Sequence, residues 1–135
     1  MPDLSDRVVM VTGASGNLGQ AVAQAFLAAG ARLALAERTS DRLAELFPDL
    51  IGSSEHLLSG SIDVTDPDSI QRWVDGVLAH FGRIDVLANT VGGYRAGMPV
   101  HETPLELWDA MLTLNARSVF LLSRAVVPAM LAQGS

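Results

Sequence analysis

The sequence feature that most constrains the fold is the stretch VVMVTGASGNLGQAVAQAFLAAGA, residues 8–31. A short apolar run ends in glycines, and a helical pattern of small and apolar residues follows at once. The run is typical of a strand buried on both faces. Gly13, Gly16 and Gly19 lie three residues apart, so backbone N–H groups at the start of the helix can approach a pyrophosphate. The glycines alone leave a second interpretation open, a tight turn without a ligand.

Strands and helices alternate along the rest of the chain. Strands are predicted at residues 7–12, 32–36, 56–64 and 84–89. Helices are predicted from Leu18, over residues 40–47, from the cap Asp66 with Pro67 in first position to Gly82, and from a capping box at 103–106 to about Ala132. Trp73 and Trp108 occupy apolar helical positions and are expected to be buried. The alternation predicts an α/β fold, a Rossmann-like three-layer parallel sheet with strand order 3-2-1-4.

Composition narrows the class of protein. The 135 residues predict one domain over residues 1–135, and the formal net charge of −6 argues against a nucleic-acid partner. Without cysteine, the chain has neither disulfides nor thiolate chemistry, which fits a reducing compartment. No signal peptide and no uninterrupted apolar run of about 18 residues is found, so we expect a cytoplasmic protein without a membrane span. His56, His80 and His101 lack ligand spacing, and no metal site is predicted.

Three polar side chains fall at the carboxyl ends of the predicted parallel strands, where ligands bind in this architecture. Glu37 follows the second strand, 18 residues after Gly19, where an acid accepts hydrogen bonds from the adenosine ribose. Asp63 ends the third strand and Asn89 ends the fourth. Singly, each has a plainer interpretation: a solvated acid, a turn aspartate and a loop residue that tolerates the left-handed conformation. Their coincidence with the glycine turn favours a ligand site.

With these motifs in place, the sequence resembles the short-chain dehydrogenase/reductase family over nearly its whole length. TGASGNLG (12–19) is similar to the family's glycine motif, DVTD (63–66) to its adenine-contacting segment, ANTVGG (88–93) to its Asn-Asn-Ala-Gly motif, and residues 108–130 to its long helix. The resemblance implies Asn115 as a catalytic residue. It also implies these cofactor-binding residues: Gly13, Ser15, Gly16, Asn17, Leu18, Gly19, Glu37, Arg38, Asp63, Val64, Asn89 and Gly92. Asn17 replaces the middle glycine, and Thr90 and Val91 replace the second Asn and the Ala.

The residues after the second strand bear on the choice of cofactor. An acid such as Glu37 accepts from both ribose hydroxyls and repels a 2′-phosphate, which favours NAD. The adjacent Arg38 offers the alternative, because a guanidinium pairs with a 2′-phosphate and favours NADP. NAD is therefore the expected cofactor and NADP the alternative.

The family's proton-transfer residues are missing from these 135 residues. The resemblance implies a Ser on the next strand and a Tyr-x-x-x-Lys on the next helix, yet all nine basic residues are arginine. The sole tyrosine, Tyr94, is followed four residues later by Met98. We therefore expect a domain that is incomplete at its C-terminal side, binds at best the adenosine half of a dinucleotide and does not turn over an alcohol or carbonyl substrate alone.

Two functions remain open on the sequence. The first is an NAD(P)-dependent oxidoreductase that transfers hydride between nicotinamide and an alcohol or carbonyl. The alternative is a non-catalytic dinucleotide-binding or interaction module that needs a partner chain. Tyr94 and Arg95 lie in a long loop, which is either a substrate- or cofactor-side segment or an ordinary surface loop. An apolar fourth strand at the sheet edge predicts a homo-oligomer, formed through this edge or the last helix.

Overall fold

The fold is a four-stranded parallel sheet between two helical layers. A computed structural model describes residues 3–134, without the side chain of Ser40. The strands are β1 (Val8–Thr12), β2 (Arg32–Ala36), β3 (His56–Ser59) and β4 (Val86–Asn89), in the spatial order β3-β2-β1-β4. In register, Thr12 at the end of β1 pairs with Ala36 on β2 and with Asn89 on β4. The predicted α/β class and strand order are confirmed, and the ends of β2, β1 and β4 lie side by side.

Five helices and a π-helical turn surround the sheet. They are α1 (Asn17–Ala28), α2 (Ser40–Leu46), α3 (Pro67–Phe81), α4 (Leu105–Leu112), the π turn Thr113–Arg117 and α5 (Ser118–Gln133). Alternate residues of β1 face opposite layers, as a doubly covered strand requires. Val9 and Val11 belong to the core formed with α1 and α2, whereas Val8 and Met10 belong to the core formed with α3 and α5.

The start of α3 follows the sequence signals closely. The Asp66 side chain accepts the N–H of Asp68 at 3.0 Å, Pro67 is the first helical residue, and Gly82 ends the helix. Trp73 is 3% exposed, as predicted. These signals can be recognised in the local sequence, because an N-cap residue and a C-terminal glycine act within one turn of the helix end that they form.

The third strand is shorter than predicted, and the prediction that Asp63 ends it is wrong. β3 stops at Ser59, whose partner is Ala36, the last residue of β2. Beyond this point β3 has no neighbour to pair with, so the chain turns back over the end of β2. The N–H of Ile62 donates to the carbonyl oxygen of Glu37 at 3.1 Å. Asp63 therefore lies in the turn after β3 rather than on the strand.

Two expectations about the last helical region are also wrong. The capping box does not form, since the Thr103 hydroxyl donates to the Pro99 carbonyl oxygen at 3.0 Å and α4 begins at Leu105. Trp108 is 60% exposed, so it is not a core residue. Helical periodicity identifies an apolar face but not whether this chain covers it.

The helical stretch Leu105–Gln133 is the one helix among residues 3–134 that is long and apolar enough to cross a membrane. Core helices of soluble proteins pass the same test of length and composition but are mostly buried, whereas 22% of this window is buried. In this fold Leu121, Leu122 and Val126 of α5 are buried in the core that contains α3. The expectation of a protein without a membrane span stays a prediction.

Candidate functional site

A cleft of about 380 Å³ opens at the carboxyl ends of β1, β2 and β4. Eight residues that the sequence assigned to a cofactor line it: Gly13, Ser15, Gly16, Glu37, Arg38, Asp63, Val64 and Gly92. Six further residues complete the lining: Ala36, Ile62, Thr65, Thr90, Val91 and Leu114. The structure therefore brings together groups from four separate loops that the sequence had placed in one site.

The glycine turn forms the floor of the cleft between β1 and α1. Gly13 has a φ of +63°, a conformation that side chains other than glycine rarely adopt, and its carbonyl oxygen accepts the Gly16 N–H at 3.0 Å. The N-terminus of α1 has no side-chain cap and no acid in its first turn. The first backbone N–H groups of α1 are thus left to an external acceptor, and the helix field there favours an anion.

Gly19 serves packing rather than the cleft. A Cβ built on Gly19 would lie 2.1 Å from the Gly13 carbonyl oxygen, well inside any van der Waals contact. The absence of a side chain at Gly19 therefore lets α1 sit directly on the glycine turn. This close approach fixes where the N–H groups of α1 point.

The Glu37 carboxylate is held by donors from two residues. Oε2 accepts the Ser15 hydroxyl and, at 3.3 Å, the Ser15 N–H, while Oε1 accepts the Arg38 N–H at 2.7 Å. The Glu37 backbone is fixed as well, because its N–H donates to the Ser59 carbonyl oxygen at 3.0 Å. An ordered acceptor with negative charge therefore stands at the rim of the cleft next to the glycine turn.

Asp63 faces the same cleft from the turn after β3. Its Oδ1 accepts the Thr65 N–H at 2.8 Å and the Thr65 hydroxyl at 2.7 Å, and its own N–H donates to Ser69 Oγ at 3.0 Å. The two hydrogen bonds from Thr65 hold the pKa of Asp63 below its ordinary value, and the charge of Arg38 acts in the same direction. The cleft therefore contains two carboxylates and one guanidinium. The summed charge of these three side chains is negative, which disfavours the binding of a phosphate next to them.

Thr90 joins β4 to β1 at the mouth of the cleft. Its hydroxyl donates to the Thr12 carbonyl oxygen at 2.5 Å, and its N–H donates to Thr12 Oγ1 at 3.3 Å. Asn89 Oδ1 is buried and has no hydrogen-bond partner among residues 3–134. In the sequence, Thr90 stands out only as a departure from the family motif. Its position directly after an apolar strand was the signal that could have identified it.

Asn115 lies in the π turn between α4 and α5 and reaches the loop after β4. Its Nδ2 donates to the carbonyl oxygens of Gly93 at 2.8 Å and Met111 at 2.9 Å, and its Oδ1 accepts the Gly93 N–H at 2.9 Å. The side chain therefore fixes both polar groups of one loop residue. Through these bonds Asn115 orders the backbone beside the cleft.

Five of the predicted site residues do not line the cleft: Asn17, Leu18, Gly19, Asn89 and Asn115. Asn17 and Leu18 open α1 next to the cleft, and Asn115 acts on its wall through Gly93. Within residues 3–134, no group of three or more His, Asp or Glu side chains is placed to hold a metal ion. Tyr94 is 88% exposed, on the loop that Asn115 anchors.

Comparison with known proteins identifies the family to which the chain with this cleft belongs. The family described as short chain dehydrogenase matches residues 7–135. The chain belongs to this family. The match includes every element that forms the cleft, from β1 to the π turn.

Two dehydrogenases are similar in sequence to this chain over nearly its whole length. D-threitol dehydrogenase of Mycolicibacterium smegmatis is 37% identical over 131 residues, which are 97% of this chain and 50% of that protein. The 2-(R)-hydroxypropyl-CoM dehydrogenase of Xanthobacter autotrophicus is 36% identical over 132 residues, 96% of this chain and 53% of that protein. The chain thus spans about half the length of these two relatives.

Solved structures of the family superpose closely. A metagenomic short-chain oxidoreductase in complex with NADP has a TM-score of 0.86 and 36% identity, and the match covers 97% of this chain and 59% of that one. A glucose/ribitol dehydrogenase from Brucella melitensis has a TM-score of 0.87 and 28% identity, with 95% and 53% covered. Both support the parallel sheet order described above.

Proposed function

We propose that these residues form the dinucleotide-binding part of an NAD(P)-dependent short-chain oxidoreductase that acts on an alcohol or carbonyl compound. The observation that carries the proposal is the convergence of the glycine turn, Glu37 and Asp63 on one cleft. A bound dinucleotide supplies or accepts the hydride. The residues that line the cleft would bind and orient it.

The polar groups of the cleft fit the adenosine half of a dinucleotide. The uncapped N-terminus of α1, without an acid in its first turn, suits the pyrophosphate. The Glu37 carboxylate suits the ribose hydroxyls, which are hydrogen-bond donors. Asp63 and Val64 line the same cleft from the turn that covers the end of β2 and would border the adenine.

We expect NADH to bind more tightly than NADPH, because Glu37 accepts from ribose hydroxyls and repels a 2′-phosphate. The NADP complex of a relative leaves the other preference open, with Arg38 as the cation for the phosphate. In Glu37→Ala, NADH affinity should fall by about tenfold or more, since hydrogen bonds to a charged group are worth about 1.5–3 kcal/mol. NADPH affinity should rise. Isothermal titration of the purified chain with each cofactor measures both.

Glu45→Ala is the matched control for this titration. Glu45 is an exposed acid on α2 outside the cleft, and its replacement changes the net charge by the same amount. Both dissociation constants should stay within about twofold of those of the parent chain. Tighter binding of NADPH than of NADH by the parent chain would reverse the proposed preference.

Substrate turnover needs more than the described site provides. The sequence contains no lysine, and its sole tyrosine lies on an exposed loop. We propose that a general acid–base pair from outside these 135 residues completes the reaction, since such a group contributes about 10²–10⁴-fold to the rate. Asn115 would contribute by holding the loop after β4, through its bonds to Gly93.

An interaction module is the second candidate, and exposed apolar residues on the last helices favour it. Phe120, Val127 and Leu131 are 61%, 42% and 73% exposed and recur at helical spacing on α5, and we call them the α5 stripe. Exposed apolar side chains spaced along one helix favour an association site. We propose self-association of the chain through the α5 stripe or the edge of β4.

Sedimentation over a wide concentration range tests this proposal. The parent chain should self-associate, and Phe120→Ser should weaken the association by about tenfold, because a truncated aromatic anchor typically costs more than 1 kcal/mol. Val100→Ser, at a 90% exposed position outside the α5 stripe, is the matched control and should leave the association unchanged. A parent chain that stays monomeric throughout would contradict the proposal.

A further inference from the structure

A groove of about 740 Å³ opens at the free edge of the sheet, between β3 and α3, and we call it the edge groove. One wall is β3 with the turn after it, and the other is the face of α3 from Ser69 to His80. Among the described residues of its lining, Ile62 alone also lines the dinucleotide cleft. The volume is in the range of small-molecule sites, and the proposed dinucleotide function does not use this groove.

The two ends of the edge groove differ in polarity, because α3 runs antiparallel to β3. The Asp63 N–H, in the turn after β3, donates to Ser69 Oγ at 3.0 Å in the first turn of α3. His80 Nε2, in the last turn of α3, donates to the Ser54 carbonyl oxygen at 2.9 Å, before the start of β3. The end near Ser69 is polar, with Ser59, Ser61, Ser69 and Arg72 in its lining, whereas Leu57, Gly76 and Ala79 line the stretch toward His80.

Three side chains of the edge groove carry hydrogen-bond donors that have no acceptor in the part of the chain that the structure describes. The Ser69 side chain is buried, its oxygen accepts the Asp63 N–H, and its hydroxyl hydrogen has no acceptor. Trp73 is equally buried, and its Nε1 has no hydrogen-bond partner. The Arg72 guanidinium is exposed and forms no ion pair with another described residue. Because a buried donor without an acceptor is destabilising, an acceptor group on a ligand is favoured here.

The charges around Arg72 favour a ligand with a single negative charge. No aspartate or glutamate belongs to the described lining of the edge groove. Asp68 and Asp75 lie four residues before and three residues after Arg72 on α3, which places both within one helical turn of the guanidinium. Their charges weaken the positive field of Arg72, so a carboxylate suits this end better than a phosphate with two charges.

The shape of the edge groove favours an elongated apolar body. The eleven residues from Ser69 to His80 extend over about 16 Å of helix, at 1.5 Å per residue. Midway along this face, a Cβ built on Gly76 would meet nothing within 4 Å. The missing side chain leaves a trough between the polar end and His80.

We propose that the edge groove binds a monocarboxylate with an extended apolar body, of the medium-chain fatty acid class. The carboxylate accepts hydrogen bonds from Arg72 and Ser69 at the polar end. The apolar body lies along Trp73 and Gly76 toward His80. This ligand binds independently of the dinucleotide, because the two sites use different polar groups.

The first test is isothermal titration of the purified chain with octanoate. Arg72→Gln should weaken octanoate binding about tenfold, because a charge-assisted hydrogen bond to the carboxylate is lost. Arg42→Gln, at an exposed arginine of α2 outside the edge groove, is the matched control and should change the dissociation constant by less than about twofold. Octanol and octyl phosphate should each bind the parent chain more weakly than octanoate.

A steric variant tests the position of the apolar body. Gly76→Leu introduces a side chain into the trough and should weaken octanoate binding by at least about tenfold. The variant should stay folded, since leucine is a better helix former than glycine and the site is open. Thermal unfolding checks this, and Gly76→Ala, which adds a single methyl group, should bind octanoate nearly as well as the parent chain.

Trp73 gives a second signal that does not depend on affinity. In Trp108→Phe, Trp73 is the sole tryptophan, so octanoate should change its fluorescence at the concentrations that saturate the titration. Octanoate binding that ignores both Arg72→Gln and Gly76→Leu would place the ligand elsewhere, for example on the α5 stripe, and would overturn the proposal. Unchanged Trp73 fluorescence, equal affinity for octanol, tighter binding of octyl phosphate, or no binding of octanoate by the folded chain would each overturn it too.

Discussion

Replacing Gly19 by alanine is expected to destabilise the chain severely and to abolish dinucleotide binding. The added Cβ would lie 2.1 Å from the Gly13 carbonyl oxygen, 2.8 Å from the Gly13 carbonyl carbon and 2.9 Å from the Ala14 Cα. All three atoms belong to the backbone, so no side-chain rotation relieves the overlap, and α1 must move away from the glycine turn. We expect a loss of at least about 3 kcal/mol in the free energy of unfolding, at the upper end for overpacked sites.

Gly76→Ala is the matched control, because Gly76 is also a helical glycine. A Cβ at this position of α3 meets nothing within 4 Å. Alanine should stabilise α3 by about 0.5–1 kcal/mol through its higher helix propensity. Denaturant unfolding and NADH titration of both variants measure the contrast. Parent-like stability and binding in Gly19→Ala would show that α1 does not need this close approach to the turn.

The strand order and the cleft could be predicted because their signals are local in the sequence. A buried strand, a glycine turn and a helix follow one another within 24 residues, and parallel crossovers then fix the neighbours of β1. Glu37, Asp63 and the glycines converge because the carboxyl ends of parallel strands share one edge. Asp66 and Gly82 mark the ends of α3 for a similarly local reason.

The failed predictions depend on contacts between distant parts of the chain. The length of β3 is set by where β2 ends, which no pattern within residues 56–64 can reveal. Trp108 has apolar helical spacing, yet burial requires a facing surface that periodicity does not specify. The bond from Ser15 to Glu37 joins side chains 22 residues apart and depends on the rotamer of each.

Replacing Asp85 by asparagine is expected to lower the free energy of unfolding by about 2–3 kcal/mol at neutral pH. The Asp85 side chain is 5% exposed and accepts hydrogen bonds from the Arg83 guanidinium at 2.6 and 2.8 Å, Arg7 Nη1 at 3.0 Å and the Val8 N–H at 2.9 Å. It thereby joins the start of β1 to the segment that enters β4. Asparagine has one acceptor oxygen and no charge, so it cannot satisfy both guanidinium groups and the backbone donor.

The pH dependence of the free energy of unfolding distinguishes the electrostatic role of Asp85 from a role in packing alone. The hydrogen bonds from Arg83 lower the pKa of Asp85 from its ordinary value to about 2. On acidification the unfolded chain takes up a proton near pH 4 while the folded chain resists until about pH 2, so the contribution of Asp85 to stability is lost across this interval. Urea unfolding from pH 7 to pH 2 should therefore show a shallower decline for Asp85→Asn than for the parent chain.

Asp109→Asn, at an exposed acid on α4, is the control and should retain the parent slope. Identical slopes for Asp85→Asn and the parent would mean that the ionised carboxylate does not stabilise the junction of β1 and β4.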